Sequence, residues 1–205
     1  MGDSSVIKNI IFDLGGVILM DKPVSVLKNM DVDKKDYAEL LRFFEDWKRL
    51  DLGEQTLEEK FDECNFSDDI VCKYRDILVK YYEYRDINMG LIDLINKLKH
   101  NNYNVYVLSD NNLGTAEFCS NNHPLFDGID GWVISCNYHE LKWDGKLFQI
   151  LLNKYQLIPE ESYFVDDNPS NMEIAYKYNM KWYIFDENED ISSLYDDMRK
   201  NWILV

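Results

Sequence analysis

Residues 6–18 read VIKNIIFDLGGVI, and this stretch decides the fold. Residues 6–12 are dominated by isoleucine, valine and phenylalanine and stop at a glycine pair, the pattern of a strand buried on both faces. The strand runs straight into a carboxylate, Asp13, and Gly15-Gly16 follow at once. Glycines there let the backbone wrap closely around an anion or a metal. An aspartate so placed is either a nucleophile or a residue that caps a turn. This stretch alone leaves both readings open.

Working outward, residues 103–108 (YNVYVL), 131–134 (GWVI), 162–165 (SYFV) and 181–185 (KWYIF) read as four more strands. Helical patterns stand before or between them: LIDLINKLKHNN, with Leu91, Leu94, Ile95 and Leu98 on one face, then KLFQILLNKY and NMEIAYKYN. Strands alternating with helices predict an α/β fold, a doubly wound parallel sheet of Rossmann-like type. One block breaks the rhythm. From Lys22 to Tyr84 no strand is evident, and DKKDYAELLRFFEDWKRL, TLEEKFDECN and SDDIVCKYRDILVKYYEYR all read as helices. Thr56 with Glu59 forms a capping-box pattern. The expected organisation is a core of residues 1–21 and 85–205 interrupted by a small all-helical cap, 22–84.

Open parallel sheets gather their chemistry at the carboxyl ends of the strands. Here those ends deliver Asp13, Ser109-Asp110 and Asp166-Asp167, with Lys142 in the region after the third strand. Two adjacent acids after an apolar strand repel each other. A hard cation offsets that cost, and magnesium favours one or two carboxylates plus phosphate oxygens; the competing reading is a solvated acidic loop. Asn168 and Asn171 either orient those carboxylates or cap the next helix. Ser109 reads as a donor to a phosphoryl oxygen or as a helix cap. Lys142 reads as a charge-neutralising lysine or a surface one, with Lys146 its neighbouring competitor.

The order Asp, Ser, Lys, Asp-Asp, each after a strand, resembles that of the haloacid dehalogenase-like hydrolase superfamily. FDLGGVI is similar to its first motif, VLSDNN to its second, Lys142 to its third and FVDDNPSN to its fourth. KWDGKLF resembles the family's K-P-D-P-x-x-F, and WKRLDLGEQTLEE a cap segment of its phosphatases. The resemblance implies a phosphatase in which Asp13 attacks phosphorus and water later hydrolyses the aspartyl-phosphate. It implies Mg2+ held by the Asp13 carboxylate, the Gly15 carbonyl and Asp167, with Asp166 in the same acidic site. It implies phosphoryl oxygens held by Ser109 and the Asp110 backbone, and charge stabilised by Lys142. The implied partner is a small phosphorylated metabolite, with a sugar phosphate favoured.

Two positions depart from the family pattern. Its phosphatases carry D-x-D, and the second Asp protonates the leaving group; here that position is Gly15. In this the chain is similar to the glucose-1-phosphate phosphatase-like D-x-G group, and sugar 1-phosphates, with their better leaving group, are the expected preference. Asp110 stands where many relatives have Asn, so its side chain is expected to turn from phosphate or pair with a cation. Two alternatives follow: a metal-independent dehalogenase on the same fold, and a catalytically weak phosphate-ligand sensor or interaction subunit.

Composition narrows the rest. A net charge of −16 with no basic stripe argues against nucleic acid. Four cysteines without CxxC spacing and only three histidines argue against a structural zinc site. No apolar run reaches transmembrane length, and the first residues show no signal-peptide core. A cytoplasmic protein with free thiols and no membrane contact is expected. His100 and His139 read as surface residues, Trp47, Tyr81, Tyr82 and Tyr84 as cap core or pocket lining. Nothing in the sequence fixes an oligomeric state.

Overall fold

The structure is a computed structural model that describes residues 6–120 and 126–205; the expectation for the leader falls partly on residues 1–5, outside them. Five parallel strands form one sheet in the order β3-β2-β1-β4-β5. They are β1 (Asn9–Phe12), β2 (Asn104–Ser109), β3 (Gly131–Ile134), β4 (Ser162–Asp166) and β5 (Lys181–Ile184). The other four strands lie where the apolar runs predict them. β1 and β4 are buried at every position, as continuous apolar strands require when helices cover both faces.

Side chains alternate between those faces. Ile10, Phe12, Val105, Val107, Tyr163 and Val165 join one cluster with Leu91, Leu94, Leu98, Leu194 and Met198. These last five come from α6 (Met89–His100) and α10 (Ser192–Lys200). Ile11, Tyr106, Leu108 and Phe164 face the other way, onto Leu147, Phe148, Leu151, Met172 and Ala175. Those belong to α8 (Lys146–Tyr155) and α9 (Pro169–Lys177). The helix α7 (Leu113–Ser120) follows β2. The doubly wound architecture is thus the product of strand alternation: each central strand feeds two cores.

Between β1 and α6 the described elements are all helical. They are α1 (Pro23–Asn29), α2 (Tyr37–Leu40), α3 (Lys48–Asp51), α4 (Leu57–Glu63) and α5 (Asp68–Leu78), with 3-10 turns at Lys34–Asp36, Leu41–Phe44 and Tyr81–Tyr84. A separate apolar cluster, from Val26 to Tyr81, fills this insertion. The Thr56–Glu59 capping box forms in full, with the Glu59 amide donating to Thr56 Oγ1 at 3.1 Å and the Thr56 amide to Glu59 Oε2 at 2.9 Å.

One expectation fails in detail. DKKDYAELLRFFEDWKRL is not one helix but a chain of short ones, broken where Glu45 is extended and Asp46 has φ 47°. The break has two tertiary causes. The Lys60 ammonium, drawn into the interior, donates to the Glu45 carbonyl and, at 3.0 Å, to that of Asp46. Phe43, Phe44, Trp47 and Tyr81 meet edge to face or tilted, with centroids 5.1–6.3 Å apart, a packing that a straight helix would not permit. The last predicted helix of the block likewise ends at Leu78 and resumes as the 3-10 turn Tyr81–Tyr84.

Candidate active site

The strand order reverses between β1 and β4, and their carboxyl ends lie level: Phe12 pairs with Val165, and the Asp13 amide donates to the Val165 carbonyl at 2.8 Å. Asp13 and Asp166 therefore stand side by side at the switch point, where open α/β sheets bind ligands. Lys142, first residue of a 3-10 turn after β3, reaches both. Its Nζ lies 2.6 Å from Asp13 Oδ2 and 2.6 Å from Asp166 Oδ2, and all three residues are buried. Lys146, the competing lysine, sits on the surface and pairs with Glu140 and Asp144.

The two carboxylates of the fourth motif have different surroundings. Asp166 is fully buried and its oxygens are engaged: Asn168 donates its amide at 2.8 Å, Asn171 its side-chain nitrogen at 3.0 Å to both oxygens, and Lys142 its ammonium. The two asparagines divide the tasks read from the sequence. Asn168 caps α9 through Ser170, and Asn171 orients Asp166. Asp167 faces outward into the cleft over Gly16. Gly16 has φ +69°, a conformation that favours glycine, and a Cβ there would push the Asp167 carboxylate from its place.

Ser109, fully buried at the end of β2, stands close enough to hydrogen-bond Asp13. Asp110 turns its carboxylate onto the Lys142 backbone, accepting that amide at 3.0 Å. It finds an amide rather than a cation, and it ties the second motif to the third. His100 is exposed, as expected, and His139 Nδ1 lies 2.7 Å from the Leu52 carbonyl.

Electrostatics follow from this crowding. Burial pushes the Asp13 carboxyl well above its usual range, against the pull of the Lys142 ammonium. Burial also works against the charge on Lys142, but Asp13, Asp166 and Asp110 outweigh it and hold the lysine protonated. Burial, then Asp166, pushes Asp167 up to about 6. Asp13, Asp166 and Asp167 bring ligand oxygens within 4.8 Å of one another. Three carboxylates against one ammonium leave an excess of negative charge that a hard divalent cation would balance. The donor set, oxygen only and partly solvent-facing, fits Mg2+. Asp13 and Asp167 would supply its protein ligands, with Gly15, which lines the same cleft; Asp166, already fully engaged, would steady them.

The sequence reading missed several residues that the fold brings here. Asp21 and Asp51 line a cavity beside the cleft, and Arg85 lies behind Asp21. Arg85, buried, forms an ion pair with Asp21 and donates to the Leu19 carbonyl at 3.3 Å. Asp51 lies in a family-like stretch, in the break between two predicted helices, and no local pattern marks it as functional.

The fold and the comparisons together define a hydrolase of α/β fold. The family model of the haloacid dehalogenase-like hydrolases matches residues 7–175, and the chain belongs to that family. Among individual proteins it is similar to D-ribitol-5-phosphate phosphatase from Bacteroides thetaiotaomicron, 28 % identical over 191 residues, covering 82 % of this chain and 87 % of that protein. A HAD family enzyme from the same organism, solved with magnesium and inorganic phosphate, shares the fold at a TM-score of 0.70 and 23 % identity, covering 92 % of this chain and 99 % of that one. So does L-2-haloacid dehalogenase from Xanthobacter autotrophicus, at a TM-score of 0.67 and 12 % identity over 98 % of this chain and 85 % of that one. Among the described residues no helix is long and apolar enough to cross a membrane.

Proposed function

We propose that this protein is a magnesium-dependent phosphatase that hydrolyses a small phosphorylated polyol or sugar through an aspartyl-phosphate on Asp13. The observation that carries this reading is the triad of Asp13, Lys142 and Asp166 held together in the interior. A lysine shared by two carboxylates opposes the effect of burial on the nucleophile and aims it. The Leu14 amide, 2.6 Å from Asp13 Oδ1, fixes the carboxylate plane. One Asp13 oxygen attacks phosphorus and the ester oxygen leaves on the opposite side. Ser109 and the backbone after it hold phosphoryl oxygens, and Lys142 offsets their growing charge. Bound Mg2+ would neutralise phosphoryl charge beside Asp13 and Asp167. Water then cleaves the acyl-phosphate. The helical insertion, residues 22–84, serves as the cap over the cleft, with core residues 1–21 and 85–205.

The ribitol-phosphate relative and the polar, aromatic-walled cleft favour a polyol or sugar phosphate, including the sugar 1-phosphates. A dehalogenase needs no metal, and the three-carboxylate cluster speaks against it. The test is turnover of a panel of phosphate esters with magnesium and with chelator, for wild type and Asp13→Asn. Magnesium-dependent release of phosphate that vanishes in Asp13→Asn is expected. Halide release from a 2-haloacid that survives chelation, with no phosphate release, would favour the dehalogenase, and binding of phosphate esters without turnover would favour a sensor.

A further inference from the structure

With Gly15 in place of the usual acid, nothing in the first motif can protonate the departing oxygen. A cavity of about 350 Å³ adjoins the cleft, walled by Asp21, Trp47, Asp51, Tyr81 and Asp110 among others. Asp21 and Asp110 also border the space above Asp13 and Lys142, so the two spaces meet there. An ester with its phosphorus at Asp13 would extend its organic part past this junction. Three carboxylates line the joined space. Asp110 is committed to the Lys142 amide. Asp21 is locked to the Arg85 guanidinium. Asp51 alone of the three makes no side-chain hydrogen bond or ion pair among the described residues.

The backbone of Asp51 is nonetheless firmly placed. It ends α3, and its carbonyl accepts from Ser135 Oγ at 2.6 Å. The same Ser135 Oγ accepts from the Asn111 amide at 2.9 Å. Next in the chain, the Leu52 carbonyl meets His139 Nδ1 at 2.7 Å. Gly53, at φ +67°, lies against the Cys136 carbonyl so closely that a Cβ would overlap it. The insertion is thus pinned to the loops that follow β2 and β3, the loops that present Ser109 and Lys142.

We propose that Asp51, supplied by the helical insertion, is the catalytic acid and base that position 15 lacks; the proposal rests on the phosphatase reading above. As the Asp13 oxygen bonds to phosphorus and the P–O ester bond breaks, the protonated Asp51 carboxyl gives its proton to the leaving alkoxide, which departs as an alcohol. The Asp51 carboxylate then takes a proton from the water that attacks phosphorus, Asp13 is released as a carboxylate with phosphate, and Asp51 is again protonated. Its surroundings suit both halves. Burial, with Asp110 and Asp21 nearby, pushes it up to about 7, against the pull of Lys142 and Arg85, where an acid-base catalyst works best at neutral pH.

The test compares kcat/KM of wild type, Asp51→Asn and Asp21→Asn on glycerol 3-phosphate, whose alkoxide needs a proton, and on p-nitrophenyl phosphate, whose leaving group does not. Asp51→Asn is expected to lose about 10²–10⁴-fold on the alkyl ester and under about tenfold on the aryl ester. The decline of the wild-type alkyl-ester profile above about pH 7 should vanish with it. A thermal midpoint of the variant no lower than that of wild type shows that the loss is chemical; should Asp51→Asn not fold, Asp51→Glu must keep the ester-dependent signature for the proposal to stand. Equal losses on both esters, no loss, or the signature in Asp21→Asn instead overturns the role of Asp51 and leaves the phosphatase intact. Wild type inactive on both esters overturns the phosphatase reading and the Asp51 role with it.

Discussion

Lys142 stands with its ammonium 2.6 Å from two buried carboxylates, and few residues in the molecule are so committed. Removing one partner of such a group leaves charge without compensation in a poor dielectric, at a cost of about 3–5 kcal/mol. Lys142→Met is therefore expected to destabilise the protein by that order at pH 7, measured by urea unfolding, and to abolish turnover. The cost should shrink as pH falls, because protonation of Asp13, whose carboxyl burial pushes up, relieves its repulsion with Asp166. A cost independent of pH would mean the triad is not what the lysine stabilises. Asp51 has a complementary signature. Its carboxyl, pushed from 3.8 up to about 7, binds its proton more tightly folded than unfolded. Its contribution to stability is thus full below about pH 4 and is lost as pH rises towards 7. Asp51→Asn removes this slope, so the variant should gain on wild type between about pH 4 and 7 in the same urea experiment. A constant difference would place Asp51 in an ordinary solvated setting. At this scale the sequence was legible where a residue ends a strand: Asp13, Ser109 and Asp166-Asp167 announce themselves by the apolar runs before them. Asp51 and Asp21 follow no strand, and what they face is decided by chain segments far away.

At the scale of elements, the strands were read well because each is a continuous apolar run between turn residues, a signal that needs no tertiary help. The capping box at Thr56 was legible for the same reason, being wholly local. Thr56→Ala is expected to cost about 1 kcal/mol in urea unfolding, since it frees the Glu59 amide and loosens the start of α4; a neutral effect would show that packing of Leu57 and Phe61 alone fixes that helix. The segment 33–50 shows the opposite case. Its local pattern is helical, yet a lysine ten residues beyond it takes its carbonyls and four aromatic rings set its path. That detour is what carries Asp51 to the cleft.

For the whole molecule, acidity is the dominant fact: a net charge of −16, with an excess of carboxylates at the switch point as well. A divalent cation binding only the folded state raises stability by mass action. Millimolar Mg2+ is expected to raise the thermal midpoint of wild type by several degrees, and by much less in Asp167→Asn; monovalent salt at equal ionic strength separates this from general screening. An equal rise in both proteins would locate the ion elsewhere. By itself the sequence determined the parallel sheet, its helical insertion and the four strand-end groups, because strand periodicity and turn chemistry act over a few residues and a parallel sheet aligns its strand ends without further instruction. Only the tertiary structure decided which lysine pairs with Asp13, which of the two adjacent aspartates is enclosed and which faces the cleft, and that the insertion lays Asp51 beside it. Those outcomes depend on burial and on contacts between segments more than a hundred residues apart, such as Lys142 with Asp13, and no local pattern encodes them.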